Sequence, residues 1–294
     1  MGWYKRHSSF SENPLNKPIT DRCIIGYGSL GRRIFEVLSK NDEKIKIFNR
    51  SQKKLLKVNS KKKFRNTEES FKNSRIIFFI LKDHNAINYF FKKIKNKKFL
   101  QNKIFVNLST ITYKNAIKFS EFAKKNKSKW IETPTLGNPE ALKKRKMFFL
   151  YSGPKNKTVI EILNKIGYMK FYKKIHYPQI LKIIHNAICA NIMISLGDAF
   201  LISKKNNIKN KIMFEMILNS GFVSPLVTNK INKIKSGYKV SFAYENMLKD
   251  LGIFKNSNFN YTETLSKTYQ IFKKFNFNTR NKDSSLIIKN ISKI

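Results

Sequence analysis

Three glycines in this chain have the spacing to bind a pyrophosphate. Gly26, Gly28 and Gly31 form a G-x-G-x-x-G pattern between an apolar run and a helix-like segment. In this pattern the first glycine allows a sharp turn, the second lets backbone approach a phosphate, and the third lets helix pack on strand. The N–H groups and dipole of the helix start attract the phosphate charge. The predicted cofactor loop comprises Gly26, Tyr27, Gly28, Ser29, Leu30 and Gly31.

A polar turn follows the second predicted strand. Asn49 stands about 20 residues after Gly26, where dinucleotide-binding folds read the adenosine ribose, usually with a carboxylate for NAD. This chain instead has Asn49, Arg50 and Ser51, with Lys54 close behind. A guanidinium, a hydroxyl and an ammonium hold a 2′-phosphate, whereas a carboxylate repels it. The turn therefore favours NADP(H) over NAD(H), although Arg50 and Lys54 are also two of sixty basic residues.

Lys182 and Asn186 have the types and spacing for carbonyl chemistry. They lie four residues apart in an apolar segment predicted to be helical, so they share a face. An ammonium can protonate a carbonyl oxygen as hydride reaches its carbon, and an amide can orient the substrate. An apolar setting lowers a lysine's pKa toward the useful range. The residues alone also allow Lys182 to extend to solvent. His185 lies off this face and is predicted to be structural.

Strands and helices that alternate along the first half would position these groups. The predicted strands are 23–25, 44–48, 76–81, 103–108, 130–132 and 147–151. Continuous apolar runs are typical of parallel strands covered on both faces, and the alternation predicts an α/β, Rossmann-type doubly wound parallel sheet. Ligands bind at the carboxyl ends of such strands. We therefore place Ser109 and the loop 133–138 on the cofactor side, with Leu81 and Thr110 as further predicted cofactor contacts.

The second half has helical periodicity throughout. Segment 180–203 is apolar on nearly every side, which indicates a helix buried in a core or an interface. Further helices are predicted at 211–218, 226–234, 243–254, 262–275 and 284–291. We expect a flexible lead-in (1–20), a nucleotide-binding domain (21–178) and an all-α domain for substrate and oligomerisation (179–294), joined by the long helix. A homodimer or homotetramer is expected.

Charge and cysteine content limit the function classes. The chain has 294 residues and a net charge of +42, but its lysines are spread over nearly every segment, so we expect only non-specific binding to nucleic acids. Both cysteines, Cys23 and Cys189, are predicted to be buried and unpaired, which favours a reducing compartment. No apolar run is judged long enough to span a bilayer, and residues 1–20 lack the apolar core of a signal peptide. A cytoplasmic protein without membrane segments or metal ligands is expected.

Seven motifs in order carry a family resemblance. They are the glycine turn 26–31, Asn49-Arg50-Ser51 with Lys54, Asn107-Leu108-Ser109-Thr110, the loop 132–138, Lys182 with Asn186, Lys249-Asp250-Leu251, and Asp283-Ser284-Ser285. In this order the chain resembles the β-hydroxyacid dehydrogenases over about residues 22–290. These are the relatives of 3-hydroxyisobutyrate dehydrogenase and glyoxylate/succinic semialdehyde reductase, with a 6-phosphogluconate dehydrogenase-type nucleotide domain.

The resemblance implies an NADP(H)-dependent oxidoreductase that interconverts a small aldehyde or keto acid and its hydroxy acid. By this resemblance Lys182 is the general acid and Asn186 orients the substrate, while Lys249 approaches the nicotinamide. Ser109 is implied beside the nicotinamide or the substrate. The implied substrate-binding residues are Ser109, Thr135, Leu136, Gly137, Asn138, Lys182 and Asn186.

The chain also departs from the family pattern. His176, Pro178 and Arg145 stand where relatives usually have glycines, and Leu136 replaces the usual serine of the substrate loop. Lost glycines can strain a turn or block the approach of a ligand. Two alternatives therefore stay open. One is an imine reductase, a class that generally lacks the lysine at position 182. The other is a decayed homologue that binds nucleotide without catalysis.

Overall fold

The computed structural model describes residues 21–40, 42–221, 223–237, 240–257, 259, 262–276 and 279–291. The predicted lead-in at 1–20 lies outside these residues.

The first part of the described chain is a parallel sheet with helical connections. Its elements are β1 (Asp21–Ile25), α1 (Ser29–Leu38), β2 (Ile45–Phe48), α2 (Thr67–Lys72), β3 (Ser74–Phe79), α3 (His84–Lys93), β4 (Ile104–Asn107), α4 (Tyr113–Lys125) and β5 (Lys129–Glu132). The strand order is β2-β1-β3-β4-β5, and every neighbouring pair is parallel. The predicted α/β class is confirmed. Strand β3 ends at Phe79, so Leu81 lies in the loop at its carboxyl end.

The remaining strands extend the sheet in a mixed arrangement. They are β6 (Thr135–Leu136), β7 (Met147–Ser152) and β8 (Gly167–Tyr172), with α5 (Pro139–Lys143) and α6 (Lys157–Asn164) between them. Strand β7 is antiparallel to both β5 and β6, and β8 is parallel to β7. The sheet is therefore predominantly parallel, as predicted, and β7 and β8 run opposite to the other strands. Strand β8 itself was not predicted, because it alternates exposed and half-buried positions and lacks a continuous apolar run.

Both faces of the parallel strands are covered. One face carries an aromatic cluster in which Phe79 stacks on Phe105 and Trp130 at ring-centroid distances of 6.0 Å. The opposite face buries Ile24 and Val106 against α1 and α6 side chains. Burial on both sides explains the continuous apolar runs, since neither face of these strands meets water.

The second part of the chain is helical, as predicted. It contains α7 (Tyr177–Lys205), α8 (Asn210–Asn219), α9 (Pro225–Ser236), α10 (Tyr244–Lys255), α11 (Glu263–Lys274) and α12 (Leu286–Ile291). The long α7 packs against α10, α11 and α12 around a separate apolar core. Its buried side includes Gln179, Lys182 and Asn186 from the first turns. This helix therefore carries polar groups into the interior beside the sheet.

Two sequence expectations about burial need correction. By length and composition alone, α7 is apolar enough to cross a membrane, which the sequence analysis did not anticipate; its buried face packs in the helical core. Cys23 is fully buried as expected, but Cys189 is only partly so. Both thiols are free, and burial raises the pKa of each.

Candidate active site

The glycine loop between β1 and α1 has the shape of a phosphate cradle. Gly26 has φ +119°, and a Cβ there would lie 2.2 Å from the Ile80 carbonyl oxygen. A Cβ on Gly31 would lie 2.1 Å from the Gly26 oxygen. At Gly28, the N-cap of α1, a Cβ would meet no atom within 4 Å. The first and third glycines are thus required by packing, whereas Gly28 borders open space at a helix start, which fits a pyrophosphate.

The polar turn after β2 is joined to this loop. The Asn49 side-chain oxygen accepts a hydrogen bond from the Tyr27 N–H at 3.0 Å, and its amide donates to the Ser51 carbonyl at 3.0 Å. The Arg50 guanidinium lies 5.3 Å from the Tyr89 ring centroid. Lys54 is exposed in the short 3₁₀ helix that follows. Asn49 therefore fixes the turn to the glycine loop and leaves Arg50, Ser51 and Lys54 at its surface.

Ser109 and Lys249 connect the loops after β3 and β4. The Ser109 hydroxyl accepts from the Leu81 N–H at 2.8 Å and donates to the Phe79 carbonyl at 3.3 Å. The Lys249 ammonium, from α10, donates to the carbonyls of Lys82 at 2.8 Å and Thr110 at 3.0 Å. The predicted cofactor residues Leu81, Ser109, Thr110 and Lys249 are thus in mutual reach at the carboxyl edge of the sheet.

Lys182 and Asn186 lie together on the buried face of α7. Lys182 is 9% exposed, and burial lowers its pKa, partly offset by the Asp250 carboxylate. The Asn186 amide donates to Asp250 at 2.7 Å. The other Asp250 oxygen lies 2.7 Å from the Lys249 ammonium. These contacts form a polar chain from the cofactor edge to the amide beside Lys182.

Two residues near this pair received no site role from the sequence. Asp250 was visible only as the neighbour of Lys249, because its partner Asn186 is distant along the chain. His185 was predicted to be structural and off the face, but its Nδ1 lies 3.2 Å from the Asn186 side-chain oxygen. Burial, with a contribution from the Lys182 charge, lowers the pKa of His185. The His185 ring therefore lies beside Asn186 at the edge of the site.

The predicted substrate loop is held by its own contacts. The Thr135 hydroxyl donates to the Phe148 carbonyl at 3.3 Å. The Asn138 side chain caps α5 by accepting from the N–H groups of Glu140 and Ala141 at 3.0 and 2.8 Å. Gly137 has φ +142°. Within the described residues, no hydrogen bond joins this loop to Lys182 or Asn186.

A buried carboxylate lies behind the site. Glu132 is fully buried, and its oxygens accept from Trp130 Nε1 at 2.7 Å, Asn107 Nδ2 at 2.9 Å and Gln179 Nε2 at 2.5 Å. Burial raises the pKa of Glu132 to about 7, against the effect of these hydrogen bonds. Gln179 received no role in the sequence analysis, although it lies about one turn before Lys182 on α7.

The three positions where relatives have glycines differ in backbone strain. His176 has φ −90°, and Pro178 lies in the first turn of α7, so neither position requires glycine. Arg145 has φ +55°, in the left-handed region that favours glycine. Only the substitution at 145 therefore strains the backbone.

The fold and these sites define the class of the protein. A glycine cradle on a parallel sheet, followed by a helical part that carries Lys182, is the architecture of an NAD(P)-dependent oxidoreductase. Residues 21–177 match the family described as the NAD binding domain of 6-phosphogluconate dehydrogenase, and residues 178–290 match the family described as NAD-binding of NADP-dependent 3-hydroxyisobutyrate dehydrogenase. The chain belongs to the 3-hydroxyisobutyrate dehydrogenase family of hydroxyacid dehydrogenases.

Individual relatives agree with this family. Glyoxylate/succinic semialdehyde reductase 2, chloroplastic, of Arabidopsis thaliana is 24% identical over 153 residues, or 51% of this chain and 43% of that protein. The chain thus aligns with less than half of this curated relative. Mycobacterium tuberculosis 3-hydroxyisobutyrate dehydrogenase has the same fold with a TM-score of 0.81 at 16% identity, covering 92% of this chain and 99% of its own. An imine reductase from Myxococcus stipitatus gives a TM-score of 0.62 at 14% identity, with 92% and 99% covered.

Proposed function

We propose that this protein is an NADP(H)-dependent reductase of small aldehydes or keto acids, or a dehydrogenase of the matching hydroxy acids. When bound, the cofactor supplies or accepts the hydride. Gly26, Gly28 and Gly31 hold its pyrophosphate, and Arg50, Ser51 and Lys54 hold its 2′-phosphate. The open space at Gly28 supports the first part of this assignment. The absence of a carboxylate at position 49 supports the second.

The observation that carries the proposal is the buried Lys182 beside Asn186 on α7. Burial lowers the pKa of this lysine, which makes its ammonium a better proton donor at neutral pH. In reduction Lys182 gives a proton to the carbonyl oxygen, and in oxidation the neutral amine takes it back. Asn186 has one amide hydrogen committed to Asp250, and its other hydrogen remains to orient the substrate oxygen.

Further assignments belong to the same proposal. Residues 21–178 form the nucleotide domain, and residues 179–294 form the domain for substrate and oligomerisation. Ser109 and the loop residues Thr135, Leu136, Gly137 and Asn138 border the substrate carboxylate. Lys249 approaches the nicotinamide end, a placement supported by its bonds to the loops after β3 and β4. We place the protein in the cytoplasm, which its two free thiols support.

The protein is also proposed to form a homodimer through α7 and α8. Apolar side chains on these helices are exposed, namely Ile184, Ile188, Ile202, Ile212 and Met216. Burying such a patch against a second copy removes apolar surface from water. We assign a second copy of this chain as the occupant, because the patch lies in the helical part to which the sequence analysis assigned oligomerisation.

Specific residues argue against two other functions. An imine reductase shares the fold, and the retained Lys182 argues against it. A decayed homologue was suggested by the lost glycines. The relaxed backbone at His176 and Pro178, together with the intact chain Lys249–Asp250–Asn186, favours catalysis.

The test is NADPH oxidation by the purified protein across short semialdehydes and keto acids, with NADH as the paired control. The wild type should use NADPH in preference to NADH. Lys182→Ala should lower kcat by about 10²- to 10⁴-fold, because general acid catalysis is lost. NADPH affinity, read from its fluorescence, should stay within about twofold because the glycine cradle is untouched. Turnover that survives in Lys182→Ala would remove the lysine from its role, and NADPH binding without turnover would favour the decayed homologue.

A further inference from the structure

Gln179 joins the first turn of α7 to the loop between β4 and α4. It is fully buried, and both ends of its amide are used. Its oxygen accepts from the Ile111 N–H at 3.0 Å. Its nitrogen donates to the Ser109 carbonyl at 3.0 Å and to Glu132 Oε2 at 2.5 Å. One side chain therefore fixes three backbone and side-chain groups of the neighbouring loop and strand.

Glu132 is the anchor of this arrangement. The groups that face its carboxylate are three N–H donors: Gln179 from α7, Asn107 from β4 and Trp130 from β5. Asn107 in turn accepts from the Ser109 N–H at 2.9 Å and donates to the Ser109 carbonyl at 3.2 Å. Because all three donors point at two acceptor oxygens, the ionised carboxylate suits them better than a protonated one.

We propose that Gln179 and Glu132 are a positioning pair that sets the distance between the cofactor loop at Ser109 and the turn of α7 that carries Lys182. This inference rests on the proposed function. Gln179 lies one helical turn before Lys182, so the rigid helix passes any shift of Gln179 to the lysine. Ser109 and Ile111 belong to the loop at the carboxyl end of β4, which borders the cofactor. Both members are fully buried, so we assign them a positioning role rather than contact with the substrate.

The size of the expected effect follows from the geometry of hydride transfer. A misplacement of about 1 Å at a reacting group can cost about 10²-fold in rate. Loss of the pair leaves the glycine cradle and the polar turn after β2 unchanged. Its removal should therefore lower kcat and leave the affinity for NADPH nearly as it was.

The first test uses Gln179→Met, which keeps the length of the side chain but removes both hydrogen-bonding ends. Hydrogen exchange at the Ile111 amide should become about 10-fold faster or more, because that N–H loses its acceptor. The Ser109 amide should change less, since Asn107 still accepts from it. Gln101→Met, at an exposed position, is the matched control and should change neither amide. Unchanged exchange at Ile111 in folded Gln179→Met would overturn the inference.

Kinetics distinguish a positioning role from a merely structural one. Gln179→Met should lower kcat by about 10- to 100-fold with little change in the KM for NADPH. Equal kcat values for Gln179→Met and wild type would overturn the inference. Should the wild type turn over no carbonyl compound, the proposed function fails by itself, and the exchange at Ile111 still decides whether Gln179 holds the loop.

Gln179→Glu is the second variant, because it keeps size and an acceptor for Ile111. Its carboxylate would lie beside that of Glu132, so the two would share a proton and titrate as a coupled pair. The shared proton replaces the lost N–H donor at low pH. We therefore expect kcat near the wild-type value at acid pH and an added loss of activity as pH rises. A pH profile that matches the wild type would overturn the coupling of Gln179 to Glu132.

Discussion

At the scale of single residues, the candidate chemistry depends on one buried ammonium. Burial lowers the pKa of Lys182, while the Asp250 carboxylate limits this effect. Asp250 also fixes the Asn186 amide and contacts the Lys249 ammonium. The same carboxylate thus orients the amide and raises the proton affinity of the lysine against the larger effect of burial. Loss of Asp250 would disturb both groups together.

The lowered pKa of Lys182 leads to a prediction with a definite sign. A general acid acts only while protonated, so kcat/KM for NADPH-dependent reduction should fall as pH rises through the pKa of Lys182. The measurement is the rate profile from neutral pH up to the ordinary lysine pKa of about 10.4, because a lowered pKa lies below that value. Lys182→Arg keeps the charge but releases no proton in this range, so its residual rate should not fall as pH rises. The same alkaline loss in Lys182→Arg would contradict the assignment.

At the scale of elements, the end of α5 shows the effect of a lost glycine. After Lys143 the helix ends with Lys144 in a right-handed-type conformation and Arg145 at φ +55°. The Lys146 N–H then bonds back to the Ala141 carbonyl at 2.7 Å. This geometry is a C-terminal helix cap in which glycine is the favoured residue.

We predict that Arg145→Gly stabilises the protein. The left-handed backbone conformation costs a residue with a side chain about 1–2 kcal/mol. Glycine at this position removes part of that cost. We expect a gain of about 1 kcal/mol in the free energy of unfolding, measured by urea titration. Lys144→Gly is the matched control, because its φ of −81° needs no glycine. The free energy of unfolding of that control should fall by about 0.5–1 kcal/mol, because glycine loses more conformational entropy on folding. A lower free energy of unfolding in both variants would contradict the strain at Arg145.

At the scale of the whole molecule, a group of exposed apolar side chains lies on the long helix α7 and its neighbour α8. Ile188 is 55% exposed on α7, and Met216 is 59% exposed on α8. The net charge of +42 opposes self-association at long range. Apolar burial offsets this repulsion, and added salt screens it. We therefore expect the proposed dimer to have a lower dissociation constant at higher ionic strength.

We predict that Ile188→Glu shifts the protein from dimer to monomer. A carboxylate in an apolar contact must be desolvated without a partner, which weakens association strongly. Size-exclusion chromatography with light scattering measures the change in mass. Leu56→Glu is the control, because Leu56 is 77% exposed in the other part of the chain and should leave the mass unchanged. An unaltered dimer in Ile188→Glu would place the interface elsewhere.

The sequence by itself determined the local structural features of this protein. The glycine turn, the buried parallel strands and the pairing of Lys182 with Asn186 depend on residues a few positions apart, so periodicity and spacing exposed them. The order of motifs was sufficient to indicate the family. The predicted helices of the second half are also present, with ends that differ by a few residues.

Only the tertiary structure decided which distant groups meet. Asn186 pairs with Asp250 across 64 positions, and Gln179 reaches Glu132 across 47. The antiparallel placement of β7 and the half-exposed β8 likewise depend on strand pairing rather than on local pattern. Such contacts are set by how the helical part packs on the sheet, and a single sequence carries no local signal of that packing.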